Sequence, residues 1–119
     1  MKIEKIYISG RISGLPVREA IDKFKAAAEK IRKFGFEPVS PFDNGLPLEA
    51  DWAEHMGKDI TLLLRSDAIY LLADYEASEG ALIELCVALQ RRMPVFVERD
   101  AYRKLDTFKM LEDYGKEKA

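Results

Sequence analysis

Apolar positions along this chain follow two rhythms, short unbroken runs and longer stripes at helical spacing. The segment from Ile3 to Ser9 holds the first run, Ile6, Tyr7 and Ile8, and predicts a strand that Gly10 ends. Arg11 to Pro16 predicts a loop, with Gly14 and Pro16 suited to the turn into a helix. Ile21, Phe24, Ala28 and Ile31 then recur at spacings of three, four and three, which is one apolar stripe of a helix. Lys23, Lys25, Lys30, Arg32 and Lys33 occupy the other side, as a solvated face rather than a phosphate patch. Gly35 is placed to end this helix.

Phe36 to Ser40 predicts a short second strand, closed by Pro41, and residues 41–50 a loop with two prolines, Asn44 and Gly45. Asp51 then caps a second helix whose apolar face is Trp52, Met56, Ile60, Leu63 and Leu64. Ala68 to Ala73 is a continuous apolar run, the mark of a strand buried on both sides. Asp74 to Ala77 reads as a loop, Ser78 to about Arg92 as a third helix, and Pro94 to Val97 as a fourth strand. From about Arg99 the chain is charged and weakly periodic, a helix or a tail.

Strands that alternate with helices imply right-handed crossovers. The expected fold is therefore α/β and three-layered, a mostly parallel sheet of four to five strands with helices on both faces. Residues 1–119 form a single domain in this reading. Ligands of such sheets bind beyond the carboxyl ends of the strands, where the strand order reverses. The loops after the first three strands, and the helix starts that follow, are the places to look.

Composition narrows the function classes. Nearly half of the 119 residues are apolar, a third are charged and the formal net charge is −2. That excludes the basic field that recruits a nucleic-acid polymer, and leaves room for a single nucleotide at a local anion site. No apolar run is long enough for a membrane span, and the charged start Met1-Lys2-Ile3-Glu4-Lys5 is no signal peptide, so the cytoplasm is the expected compartment. Cys86 is the single cysteine; within Leu85-Cys86-Val87-Ala88-Leu89 it is expected to be a small buried hydrophobe. His55 is the single histidine with no second ligand at metal spacing, so neither a metal nor a cofactor is expected.

Three segments converge on the predicted strand ends. In Tyr7-Ile8-Ser9-Gly10-Arg11-Ile12-Ser13-Gly14, glycines admit a close ligand, hydroxyls donate, and Arg11 can fork onto an anion. The spacing matches neither a dinucleotide fingerprint nor a Walker loop, and an ordinary strand-to-helix turn is the competing reading. In Ser78-Glu79-Gly80-Ala81-Leu82-Ile83-Glu84, Ser78 suits an N-cap, while Gly80, Glu84 and Ala88 fall four apart on one helix face. A carboxylate between two minimal side chains has room for a ligand beside it; the alternative is a surface glutamate in that register. Asp59 lies at the edge of the second helix's apolar stripe, facing either pocket or solvent. Two carboxylates and an anion loop fit retaining glycosidic chemistry, with one attacking an anomeric carbon while an acid protonates the leaving group.

Tyr7-Ile8-Ser9-Gly10 with the Ser-Gly loop that follows, Asp59-Ile60, Ser66-Asp67-Ala68 and Gly80-Ala81-Leu82-Ile83-Glu84 stand in an order and spacing that resembles the nucleoside 2-deoxyribosyltransferase superfamily. The likeness runs from about residue 5 to 98 and is greatest to the short bacterial and phage branch. It implies a flavodoxin- or Rossmann-like sheet and action on the N-glycosidic bond of a nucleoside or nucleoside 5′-monophosphate. By the same resemblance Glu84 is the nucleophile that forms a glycosyl-enzyme, Asp59 moves a proton or holds the sugar, and Tyr7 orients Glu84. Ser9, Gly10, Arg11, Ser13, Gly14, Ser78 and Gly80 are then the substrate- and phosphate-binding set. Transferases of the superfamily carry aspartate where Ser78 stands, and the monophosphate hydrolases carry serine, which tilts the expectation towards a 5′-monophosphate. Transferases also borrow a carboxy-terminal asparagine from a neighbouring subunit, and no asparagine follows Arg99. A homodimer or larger homo-oligomer is expected by analogy. The contrasting expectation is a nucleotide-binding sensor that keeps the fold without the chemistry.

Overall fold

A computed structural model of the chain describes residues 2–98. Four strands, β1 (Lys5–Ser9), β2 (Glu37–Val39), β3 (Ala68–Leu71) and β4 (Val95–Val97), alternate with three helices, α1 (Val17–Lys33), α2 (Trp52–Leu64) and α3 (Glu79–Gln90). The sheet is parallel throughout, in the order β2-β1-β3-β4. The fold is α/β, as the alternation predicts. The expected segment after Arg99 lies outside the described residues.

Two short 3-10 turns, Pro41–Asp43 and Tyr75–Ala77, stand where the sequence suggested plain loops. In the first, Ser40 accepts from the Phe42 N–H. Asp51 caps α2 by accepting from Glu54 N–H, and Ser78 caps α3 by accepting from Ala81 N–H. Each side-chain oxygen satisfies a donor that the first helical turn leaves open. The α1 stripe is rotated by one residue from the expected one. Ala20 and Ala27 are buried with Phe24 and Ile31, while Ile21 and Ala28 lie half-buried at the edge. In α2, Leu63 and Asp59 point inward, and Trp52 and Leu64 are exposed.

Side chains of β1 alternate between two cores, because successive residues of a strand point to opposite faces. Ile6 and Ile8 join Phe24, Ile31, Tyr70 and Phe96 under α1. Tyr7 joins Leu63, Ile69, Leu71 and Ala88 under α2 and α3. Asp67 holds the base of the sheet together, its carboxylate accepting from the backbone N–H groups of Glu4 and Lys5 at 3.0 Å each. The chain steps from β1 outward to β2, then crosses back past β1 to β3. This is the reversal at which open parallel sheets leave a crevice beyond their carboxyl ends.

A further expectation is overturned. Cys86 is exposed, not buried. The buried row of α3 is Ala81, Glu84 and Ala88, and a residue two places after Glu84 points about 200° away from it.

Candidate active site

A cavity of about 520 Å³ opens where the sheet reverses. Its volume falls within the roughly 300–1,000 Å³ of small-molecule pockets. The loop after β1 contributes Gly10, Ile12 and Ser13 to its wall, and the loop after β2 contributes Phe42, Asn44, Leu46 and Leu48. Trp52, His55, Met56 and Asp59 come from α2, and Ser78, Gly80 and Glu84 from the start of α3.

Glu84 is the most constrained group in this wall. Only 5% of it is exposed, and both of its oxygens accept hydrogen bonds. The Tyr7 hydroxyl donates to Oε2 and the Ser9 hydroxyl to Oε1, each at 2.6 Å. The strand pleat explains the pairing, since Tyr7 and Ser9 are two apart and leave β1 on the face that α3 covers. Burial pushes the Glu84 carboxyl up to about 7; the Ser9 and Tyr7 hydroxyls oppose the rise and the nearby Asp59 charge adds to it. Burial, together with the Glu84 and Asp59 charges, raises the Tyr7 phenol well above its ordinary value. Tyr7 therefore stays a donor at any ordinary pH.

Asp59 is 6% exposed and accepts from Asn44 Nδ2 at 2.9 Å. Burial raises its carboxyl as well, against the Asn44 amide and the neighbouring His55 ring, which lower it. Of the two orientations left open by the sequence, the structure shows Asp59 facing the cavity. The arrangement thus sets a pair of protonatable carboxyls at one crevice. Both are kept dry enough to exchange protons nearer neutrality than a surface carboxylate does.

The remaining residues of the predicted set divide. Gly10, Ser13, Ser78 and Gly80 line the cavity. A Cβ on Gly10 would come within 2.7 Å of Leu72, so glycine is needed for the β1 loop to pass the end of β3. On Gly80 a Cβ would lie 3.1 Å from Met56 Sδ, which explains the small residue where α3 meets α2. Ser9 is fully buried beneath the wall, and its hydroxyl is spent on Glu84 rather than on an anion. Arg11 and Gly14 are not among the lining residues. The Arg11 guanidinium turns back on its own loop, with Nε donating to the Ser13 carbonyl at 3.2 Å. That turn is fixed at the backbone: Asp74 accepts from Arg11 N–H at 3.1 Å, and Lys23 Nζ donates both to the Arg11 carbonyl and to Asp74. Among the described residues the lining contains no lysine or arginine.

Sequence reasoning missed Asn44, His55 and the apolar rim of Phe42, Leu48 and Trp52. The strand-end rule pointed to the loop after β2, and an Asn-Gly pair there was the available signal. Among the described residues no cluster of three His, Cys, Asp or Glu side chains could hold a metal ion, and no helix is long and apolar enough to cross a membrane.

Comparison with solved structures finds the same fold. A 2-deoxyribosyltransferase from Leishmania mexicana superposes with a TM-score of 0.60 at 21% identity, covering 79% of this chain and 63% of that one. The chain therefore spans less than two thirds of the Leishmania protein. A 2-deoxyribosyltransferase from the psychrotolerant bacterium Bacillus psychrosaccharolyticus gives 0.66 at 18% identity, covering 92% of this chain and 91% of that one. A conserved protein from Enterococcus faecalis V583 gives 0.62 at 17% identity, covering 95% and 88%. No curated protein matches at the sequence level. The family model described as a domain of unknown function, DUF4406, matches residues 4–97. The chain thus has a nucleoside 2-deoxyribosyltransferase-like fold and belongs to the DUF4406 family.

Proposed function

We propose that the protein cleaves or transfers the N-glycosidic bond of a nucleoside or nucleoside 5′-monophosphate, with Glu84 as nucleophile. The observation that carries this reading is the Glu84 carboxylate itself, buried in a cavity wall with both oxygens clamped by hydroxyl donors. A structural glutamate gains nothing from such a place. A nucleophile gains a fixed direction of attack, and two donors that favour its ionised form.

In the proposed reaction a Glu84 oxygen bonds to the anomeric carbon while the carbon–nitrogen bond breaks. The bonding pair leaves with the base, which takes up a proton. Asp59, raised by burial and facing the same cavity, supplies that proton. Water or a second base then attacks the glycosyl-enzyme, giving hydrolysis or transfer. With Arg11 turned away, a 5′-phosphate would be met by Ser13, Ser78 and backbone N–H groups at the α3 start. The cytoplasm and a homo-oligomeric state belong to the same reading.

The test is incubation with the four natural 2′-deoxynucleosides, the ribonucleosides and their 5′-monophosphates, with chromatography of the free base. Base release is expected from at least one of them, and Glu84→Gln should lower it by at least a thousandfold. Activity that survives in Glu84→Gln removes the nucleophile. Thermal stabilisation by a nucleotide without base release would favour a sensor instead.

A further inference from the structure

The loop after β2 carries a polar unit that the proposed nucleophile does not explain. Asn44 is buried, at 4% exposure. Its Oδ1 accepts from Leu46 N–H at 2.9 Å, and its Nδ2 lies 2.9 Å from both Asp59 Oδ1 and His55 Nδ1. Turning the amide over would set its oxygen against the Asp59 carboxylate and an N–H against the Leu46 N–H. The amide orientation is therefore forced, and both N–H groups of Asn44 donate. His55 Nδ1 must then accept, and a neutral imidazole that accepts at Nδ1 carries its hydrogen on Nε2. His55 lines the cavity, and its Nε2 has no hydrogen-bond partner among the described residues.

We propose that Asn44 is a positioning residue that locks the His55 ring in the tautomer with its hydrogen on Nε2. The ring then presents Nε2–H to an acceptor atom, a carbonyl oxygen or ring nitrogen, of the bound base. This role rests on the N-glycosidic reading of the site. His55 is a hydrogen-bond donor in this scheme and not the acid. With Nδ1 bare, loss of the Nε2 hydrogen would leave an imidazolate, so the proton for the departing base comes from another group. As the carbon–nitrogen bond breaks and its electron pair moves onto the base, the Nε2–H contact strengthens, which is how a fixed donor lowers a barrier. Asn44 thereby couples the two groups that meet the leaving base, Asp59 and His55, through a single nitrogen atom.

Because His55 is the only histidine of the chain, nitrogen-15 NMR of the imidazole reads one ring without ambiguity. In alkaline buffer, where an ordinary imidazole is neutral, the wild-type spectrum should place the hydrogen on Nε2. Asn44→Asp puts an acceptor where two donors stood and should move the hydrogen to Nδ1. Asn44→Ala should give a mixture. A wild-type ring with its hydrogen on Nδ1, or an Asn44→Asp spectrum like the wild type, overturns the lock, and the wild-type spectrum decides alone if the variants do not fold. With the nucleoside and monophosphate panel, His55→Phe should lower kcat for base release about 100-fold with a smaller change in KM. His55→Gln, which keeps an N–H donor, should recover part of it. Wild-type turnover in His55→Phe overturns the donor role while leaving Glu84 in place. If the wild type releases no base from any member, the glycosidic reading fails and takes the donor role with it; the tautomer still decides the Asn44–His55 lock.

Discussion

The side chains that β1 sends to the two faces of the sheet serve opposite ends. Under α1, Ile6 and Ile8 meet Phe24, Ile31, Phe36 and Phe96 in a hydrophobic cluster, with Phe24 and Phe42 edge to face at 5.3 Å. Under α2 and α3, Tyr7 and Ser9 of the same strand meet Glu84, and Asp59 is buried nearby. Each apolar side chain on the first face stabilises the fold when it is buried. The two carboxylates on the second face cost stability whenever they are charged. The difference shows how a chain of this size can hold a costly site: the face under α1 is packed with hydrophobic side chains, and the other carries the ionisable groups beside its own apolar cluster.

The contrast is broken most severely on the apolar face. Phe24→Ala should cost about 3–5 kcal/mol in denaturant unfolding, the range for truncating a buried phenylalanine. The loss should be equal at pH 5.5 and pH 8, because both buried carboxylates lie on the far side of the sheet. A loss that grows with pH would mean that the two faces are not independent.

Glu84→Gln is the converse change and should stabilise. The Glu84 carboxyl is raised to about 7 in the folded chain from about 4.5 when unfolded. Between these values the folded state binds the extra proton. The stability from that preference is full below about pH 4.5 and is lost as pH rises through about 7, a fall of up to about 3 kcal/mol. Glutamine does not titrate, so the variant should overtake the wild type above pH 7 while base release disappears. Melting curves from pH 5 to 8.5 check the sign; a variant less stable than wild type at pH 8 contradicts it.

Much of this division was legible in the sequence, and the parts that were not share a cause. The run Ile6-Tyr7-Ile8 marks β1, and the four-residue spacing of Glu84 and Ala88 gives α3 two of its three buried residues. Periodicity fails where apolar residues surround a helix. Leu82, Ile83, Leu85, Cys86, Val87 and Leu89 point in every direction, so the run made Cys86 look buried. The loops carry no period at all. Nothing in residues 41–50 shows that the Asn44 amide turns inward to Asp59, nor does the β1 loop reveal that Lys23 and Asp74 pin it with Arg11 folded away. Those placements come from contacts between residues 11 to 63 positions apart, and such contacts leave no local mark.

Ser9→Ala sharpens the comparison from the polar side. The Ser9 hydroxyl donates to Glu84 and favours its charged form. Its loss should drive the Glu84 carboxyl further above 7 and shift the acidic limb of base release to higher pH. At pH 8 the variant should lose about 1.5 kcal/mol, the worth of a hydrogen bond to a charged acceptor. At pH 5.5, with Glu84 protonated, the loss should be smaller. An acidic limb that stays in place would show that Tyr7 alone sets the charge state of Glu84.

The smallest effect belongs to Cys86. It lies on the outer side of α3 between Leu82 and Leu89, which are 41% and 58% exposed. Replacing a buried thiol with a hydroxyl would strand a polar group and cost about 1–3 kcal/mol. At an exposed position the same change should stay within about 0.5 kcal/mol, and the native thiol should react freely with a small disulfide reagent. A loss above 1 kcal/mol, or a thiol that resists the reagent until the chain unfolds, would mean that this row of α3 is covered in solution. The helix would then be buried on both sides, with Glu84 on one and a contact surface on the other.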